Sequence, residues 1–224
     1  MIEVFQYDTS RYRFREWAQS VLNFEHLENL HEHPCDGATK AGYRVYLFIQ
    51  AMKSAFAGEI RARFGDFVQE YVANRVPFVP WLEIYPNFRV HEHDQAATSP
   101  MHRDRDYLKE RGSVKIWLPF TRVAGGSALW CESEEGKNDL KAYEMEYGEA
   151  LYFDSLNLLH GCHFNDSAYT RVSIDFIVRP DPKLKLRHSD LCRGKTAAKS
   201  QLSTDSAGST RANMTLDRVT VNDE

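Results

Sequence analysis

The chain has 224 residues, 42% hydrophobic and 12% aromatic, enough for one folded domain with a sizeable core plus a tail. Tyr (11) and Phe (13) are plentiful, which favours an all-β or mixed core over a helical bundle. A formal net charge of -4 argues against a nucleic-acid binder, since phosphate neutralisation needs a basic surface, but leaves room for a small anionic ligand.

Met1 to Ser10 (MIEVFQYDTS) shows no basic stretch followed by an apolar run, so no secretory signal is read. No segment approaches the roughly 18 apolar residues of a membrane helix, and a cytoplasmic location without a membrane partner is the expectation. From about Arg11 to Arg75 the pattern is helical. Phe14, Trp17, Val21 and Phe24 recur at spacings of three and four, the mark of an amphipathic helix. A second run, Val45 to Val72, carries Phe48, Met52, Phe56, Ile60, Phe64, Phe67 and Val68 on related faces, with Gly58 and Gly65 as candidate breaks. His31 to Gly42 (HEHPCDGATKAG) reads as the loop between them.

From Phe78 the texture changes to strands. Trp81–Tyr85, Val114–Phe120, Ala128–Cys131, Ala150–Phe153 and Arg171–Val178 are short and rich in β-branched or aromatic residues, separated by turn formers such as Pro86, Gly112, Gly125, Gly126, Gly148 and Asp166. Helices first and short strands after predict a mainly β fold with α. The expected form is a β-sandwich of the jelly-roll type, with the N-terminal helices packed on one sheet. The expected division is 1–77 helical, 78–182 jelly-roll core and 183–224 polar tail, within a single domain. If the tail is ordered, with Met214 to Val221 (MTLDRVTV) as a strand, a second subunit is needed to cover it, and a homodimer is the partner expected. The cysteines Cys35, Cys131, Cys162 and Cys192 are widely spaced and read as free thiols.

Two histidines and one carboxylate on one face of a metal leave three positions open, the arrangement used by mononuclear iron enzymes that activate oxygen. A His-x-Asp tripeptide supplies two of these ligands, because residues i and i+2 of an extended segment point the same way. The tripeptide alone is weak. His188-Ser189-Asp190 fits it equally and His26-Leu27-Glu28 fits a looser form. His188 has no later histidine to complete a site, and His26 lies in the helical region, where i and i+2 diverge by about 200°. Only His102-Arg103-Asp104 lies between strand runs with histidines downstream, at His160 and His163.

Arg171 lies 11 residues after His160 and opens a strand (RVSIDFIV), which selects His160. A turn at Asn165 to Ser167 is expected to return this strand beside the one carrying His160. A permanently charged planar fork suits the far carboxylate of a dicarboxylate, and Ser173 faces the same side as a second donor. The structural alternative is a salt bridge from Arg171 to Asp175.

Together, His102-x-Asp104, His160 and Arg171-x-Ser173 resemble the iron(II)/2-oxoglutarate-dependent dioxygenase superfamily. Lys115–Thr121 (KIWLPFT), Gly126–Ser133 (GSALWCES) and Gly148–Phe176 (with FDSLNLLHG and TRVSIDF) further resemble its small bacterial hydroxylases of the streptomycin-biosynthesis type. The similarity covers about Phe78 to Pro180. It implies a double-stranded β-helix, cupin-like, with Fe(II) held by His102, Asp104 and His160 as the catalytic centre. It also implies 2-oxoglutarate anchored by Arg171 and Ser173, with O2 as oxidant and succinate and CO2 released. Relatives that halogenate carry Gly or Ala at the carboxylate position; Asp104 makes hydroxylation the expected outcome.

Other polar residues are candidates for binding. Lys115 either contacts the co-substrate or points to solvent, and Asn157 either orients a ligand or caps a turn. Tyr85 and Trp81 border the site or belong to the core. Arg89, Arg103, Trp130 and Glu132 are expected near the mouth, with Arg103 pointing away from His102 and Asp104. Their mixed charges suggest a small polar or zwitterionic substrate. His31-Glu32-His33 and His91-Glu92-His93 lack the spacing of a helical zinc motif and read as loops. The competing functions are a peptidyl or protein hydroxylase and a cupin-like metal-binding sensor without turnover.

Overall fold

Strand β9 (Arg171–Pro180) is buried from Arg171 to Val178. A strand covered on both faces carries a continuous buried run where a half-exposed one would alternate. The computed structural model, which describes residues 1–33, 40–54, 57–78, 80–82, 86–108 and 112–180, gives the reason. β4 (Val114–Pro119) pairs with one edge of β9, and β2 (Pro80–Leu82) and β3 (Asn87–His91) follow one another along the other. β7 (Glu149–Phe153) extends the sheet from β4, and β1 (Ile2–Gln6) completes it, every pairing antiparallel. A smaller antiparallel sheet has the order β6 (Lys141–Tyr143), β5 (Leu129–Cys131), β8 (His160–Gly161).

The two faces of the large sheet differ in kind. Phe88, Val90, Ile116, Leu118, Val172, Ile174 and Phe176 point to one side, into a cluster with the N-terminal helices. Helices α1 (Thr9–Tyr12) and α2 (Phe14–Leu22) supply Tyr12, Phe14 and Ala18 to it. Helices α3 (Lys40–Lys53) and α4 (Gly58–Phe67) supply Phe48, Met52, Ile60 and Phe64. Phe48 stacks on Phe88 with ring centroids 4.5 Å apart, and Phe14 on Phe64 at 4.7 Å. Each such ring removed from water contributes roughly 1.5–3 kcal/mol, so this layer anchors the sheet whose other face carries the polar groups. On that other face Trp117, Leu151 and Phe153 pack against Leu129, Cys131 and Tyr143 of the small sheet.

The helices-on-one-sheet architecture matches the expectation, with differences. The N-terminal part opens with a strand of the large sheet, β1, ahead of its helices. α3 starts at Lys40, inside the segment read as a loop, and Leu27–Glu32 forms a 3-10 helix. Gly65 does not break α4, which continues into a π turn over Val68–Val72. The hairpin expected to lay β9 beside His160 is corrected: β8 pairs with β5 in the small sheet and β9 belongs to the large one. Phe56, Tyr85, Cys35, Cys192, His188-Ser189-Asp190 and the tail with Met214 to Val221 lie outside the described residues, as does the side chain of Trp81. Among the described residues no helix is long and apolar enough to cross a membrane.

Candidate metal centre

The segment before β4 and the segment ending in β8 are joined backbone to backbone. His102 and His160 exchange both N–H···O bonds, at 2.9 and 3.0 Å, and the Asp104 N–H donates to the Ser155 carbonyl at 2.9 Å. Arg103 is extended (φ -112, ψ 135), so His102 and Asp104 project to one side while Arg103 projects to the other. Gly161 permits the close approach: a Cβ there would lie 2.8 Å from the Met101 nitrogen.

Ligand atoms of His102, Asp104 and His160 all lie within 4.8 Å of one another, and among the described residues they form the one such cluster of three or more. Asp104 Oδ1 is 3.3 Å from His102 Nε2 and 3.7 Å from His160 Nε2. Each imidazole is oriented from behind, His102 Nδ1 on the Pro100 carbonyl at 2.7 Å and His160 Nδ1 on the Leu158 carbonyl at 2.9 Å. Donating Nδ1–H to a carbonyl turns Nε2 of each ring toward the cluster; on His102 that nitrogen faces Asp104, whose hydrogen bond raises the imidazole, and a metal would take the place of that proton. Burial, helped by the nearby Lys115 charge, lowers the His160 imidazole to about 4, so it is neutral at neutral pH. For Asp104, burial pushes the carboxyl up, but hydrogen bonding to His102 and the Lys115 charge outweigh it and hold it well below the usual carboxylate range.

The inner face of the large sheet continues from this cluster. Arg89 on β3, Lys115 and Trp117 on β4, and Arg171, Ser173 and Asp175 on β9 share it by alternation and register. Arg171 is 2% exposed; its Nη1 donates to the Ser127 carbonyl at 3.0 Å and its Nη2 to Thr98 Oγ1 at 3.1 Å. Its guanidinium lies 5.9 Å from the Trp117 ring centroid. Cys162, two residues beyond His160, sets its sulfur 3.7 Å from Arg171 Nη2. Burial pushes that thiol up, but His91 and the Arg171 charge bring it down to about 5. The salt bridge from Arg171 to Asp175 is absent among the described residues; Asp175 is paired with Arg89 at 3.3 Å and faces Lys115 at 3.8 Å.

Among the buried polar atoms here that make no hydrogen bond within the described residues are His91 Nδ1, His160 Nε2, Arg171 Nε and Ser173 Oγ. Leaving such a group unpaired costs about 1–3 kcal/mol, and a cluster of them fits a site that binds. The set is a lone-pair nitrogen beside a carboxylate on the two ligand segments, with a guanidinium and a hydroxyl on β9 of the large sheet. It matches a divalent metal at one end and a carboxylate at the other. A cavity of about 230 Å³ opens beside it, lined by Thr98, Ser99, Pro100, Met101, His102 and Tyr107.

Several residues expected to touch substrate have other partners. Glu132 is fully buried: it takes hydrogen bonds from Arg103, at 2.7 Å, and from the N–H groups of Leu159 and Asn138. Arg103 does point away from the ligands, but into this pair and the Asn157 carbonyl. Trp130 lies on the outer face of β5, where its neighbours Leu129 and Cys131 point inward, and its indole donates to the Gly125 carbonyl. Asn157 closes the turn from Asp154 and accepts from Arg105. Arg89 alone of the four charged or aromatic candidates lies on the inner face, on a strand where a loop was expected. Lys115 reaches Asp104, with Nζ 2.7 Å from Oδ2. Glu92 of the His91 to His93 segment is taken by Arg44 of α3. Thr98 and Ser155 went unread; Asp175 was read only as a salt-bridge partner for Arg171 and Cys162 only as a free thiol, though each is a same-face neighbour of a candidate residue, Ser173 and His160.

Fold and site together define a mainly antiparallel β protein with a two-histidine, one-carboxylate cluster between its sheets. The chain is 29% identical over 181 residues to the streptomycin biosynthesis protein StrG of Streptomyces griseus, covering 78% of this chain and 83% of that one. Its fold is that of EctD from S. alaskensis (TM-score 0.54, 10% identity, 80% of this chain and 72% of that chain). It is equally that of EvdO2 from Micromonospora carbonacea var. aurantiaca, a structure with 2-oxoglutarate bound (TM-score 0.52, 13% identity, 81% and 90%). No family model matches the chain. The resemblance to streptomycin-biosynthesis proteins read from the sequence is thus met by a sequence relative, and the fold it implies by solved structures.

Proposed function

We propose that the chain is an iron(II)- and 2-oxoglutarate-dependent dioxygenase that hydroxylates an unactivated C–H bond of a small polar metabolite in natural-product biosynthesis, releasing succinate and CO2. One observation carries the reading: Lys115 and Cys162 tie the cluster of His102, Asp104 and His160 to the large-sheet face that bears Arg171 and Ser173, whose Nε and Oγ lack partners among the described residues. The streptomycin-biosynthesis relative and the 2-oxoglutarate complex of a fold neighbour support it. The two sheets are read as the halves of a double-stranded β-helix.

His102, Asp104 and His160 would hold the iron, and Arg171 and Ser173 the far carboxylate of 2-oxoglutarate. When bound, the metal with its co-substrate supplies the oxidising power that no protein side chain has. The chain's own residues hold and exclude. The carbonyls of Pro100 and Leu158 fix the imidazole tautomers. Arg171, braced by Ser127 and Thr98, offers its remaining donors to a carboxylate in a site where water is scarce, and so fixes the register of the co-substrate. The wall from Thr98 to His102, with Tyr107, borders the side from which substrate would approach. Asp104 keeps the ligand set complete, which favours hydroxylation over halogenation.

Anaerobic titration of the protein with iron(II) and 2-oxoglutarate tests this through the weak visible charge-transfer band of the chelate. The band is expected with wild type and lost in His160→Ala. No band in either defeats the proposal, and a band without succinate release in oxygen and candidate substrates identifies a metal-binding sensor.

A further inference from the structure

The two oxygens of Asp104 have different surroundings. Oδ1 faces the imidazole nitrogens of His102 and His160, at 3.3 and 3.7 Å. Oδ2 faces away and is held twice, by the Ser155 hydroxyl at 2.5 Å and by Lys115 Nζ at 2.7 Å. All three side chains are buried, with exposures of 6% for Asp104, 3% for Ser155 and 8% for Lys115.

Each holder is itself held. Ser155 lies in the turn after β7, and its carbonyl accepts the Asp104 N–H at 2.9 Å, so the same residue grips the backbone and the side chain of Asp104. Lys115 lies on β4, and its ammonium is 3.8 Å from the Asp175 carboxylate on β9, which also takes a hydrogen bond from Asn87 at 3.0 Å. A carboxylate free to rotate can offer a metal one oxygen or two. One whose second oxygen accepts a serine hydroxyl and an ammonium cannot turn without breaking both of these buried contacts.

We propose that Lys115 and Ser155 are positioning residues that hold Asp104 with one oxygen offered to the metal and the other withheld, Asp175 serving as the counter-charge that keeps Lys115 in place. The inference rests on the reading of His102, Asp104 and His160 as metal ligands. It gives Lys115 a role that neither co-substrate contact nor solvent exposure describes. The ammonium repels a divalent cation, and Asp175, shared with Arg89, offsets part of that charge while Lys115 orients Asp104.

Titration of the full-length chain with Mn(II), the free ion read by electron paramagnetic resonance, separates the possibilities. Ser155→Ala and Lys115→Met are each expected to weaken Mn(II) roughly 10- to 100-fold, the usual effect of removing an outer partner of a ligand. The double variant should lose less than the product of the two, because both act through one oxygen. Ser155→Ala removes a single atom and stands as the test if Lys115→Met does not fold, and thermal unfolding of each metal-free variant checks that point. Mn(II) affinity unchanged or tighter in Ser155→Ala and Lys115→Met overturns the proposal. So does a Lys115→Met protein that binds Mn(II) normally but loses 2-oxoglutarate, which would make Lys115 a co-substrate anchor. His160→Ala, run alongside, reports on the underlying reading. If it binds Mn(II) as wild type does, the metal assignment fails and the positioning role falls with it. If it loses Mn(II) while the other variants keep theirs, only the positioning role is lost.

Discussion

Arg171 is a permanently charged group 2% exposed to water, and its hydrogen-bond partners among the described residues are neutral oxygens and a sulfur. A guanidinium in that state needs an anion. The Cys162 thiol, drawn down by His91 and Arg171 against the effect of burial, supplies part of one, and a bound carboxylate would supply the rest. Arg171→Met should therefore raise the dissociation constant of 2-oxoglutarate roughly 10- to 100-fold, the worth of one or two charge-assisted hydrogen bonds. Arg171→Lys, a point charge without the fork, should recover only part of it. Anaerobic titration of the iron-loaded variants measures both, and wild-type affinity in Arg171→Met would place the carboxylate elsewhere. At this scale the sequence was informative where chemistry demands particular residue types. His102, Asp104 and His160 could be grouped because the tripeptide at 102–104 has histidines downstream where the one at 188–190 has none, and the structure clusters them; Arg171 and Ser173 could be proposed beside them because a charged fork and a hydroxyl suit a carboxylate. Glu132 and Arg103 could not be assigned, since a charged residue in a loop has the same signature whether it meets substrate or, as here, its own opposite charge across 29 positions.

Strand β8 is two residues long, and its place depends on its second residue. Gly161 lets the backbone at Pro100 and Met101 come so near that a methyl group would sit 2.8 Å from the Met101 nitrogen and 2.9 Å from the Pro100 carbonyl carbon. That approach puts His102 opposite His160. Gly161→Ala must push the two ligand segments apart, and the expected result is at least about a tenfold loss of Mn(II) affinity with a lower unfolding temperature. Gly65 in α4 is the contrast: nothing lies within 4 Å of a Cβ there. Gly65→Ala should stabilise the fold by roughly 0.5–1 kcal/mol, read by denaturant unfolding, with metal affinity unchanged. The same scale explains which elements escaped the sequence. β3 was hidden because its inner face bears Asn87, Arg89 and His91, polar residues required by the site, so the alternation that should mark a strand resembled a loop. β8 was too short for any pattern, and long-range pairing assigned it to the small sheet. β4 and β7 were plain because burial on both faces makes them mostly apolar, and β9 because its apolar residues alternate with polar ones from Arg171 to Phe176.

Across the whole molecule the two ligand-bearing segments are tied a second time, through Glu132 on the small-sheet side. It accepts from Arg103, which sits between His102 and Asp104, and from the N–H of Leu159, which precedes His160. Burial pushes this carboxyl up, but the Leu159 and Asn138 amides and the Arg103 charge bring it down to about 2. A carboxyl with a folded value below its unfolded one contributes stability that is fully present above the unfolded value, about 4.3 for a free Glu, and is lost as the pH falls through the folded value. The window for Glu132 thus runs from about 4.3 down to about 2. Glu132→Gln keeps an acceptor of the same shape but has no charge to lose over that window. Urea unfolding of the two proteins should show wild type clearly more stable at neutral pH, the gap holding to about pH 4.5 and closing over the next two units. A gap that does not change with pH would mean that shape alone ties the segments together. A gap that closes on acidification would mean that one buried charge pair, remote from substrate, keeps both halves of the metal cluster in register.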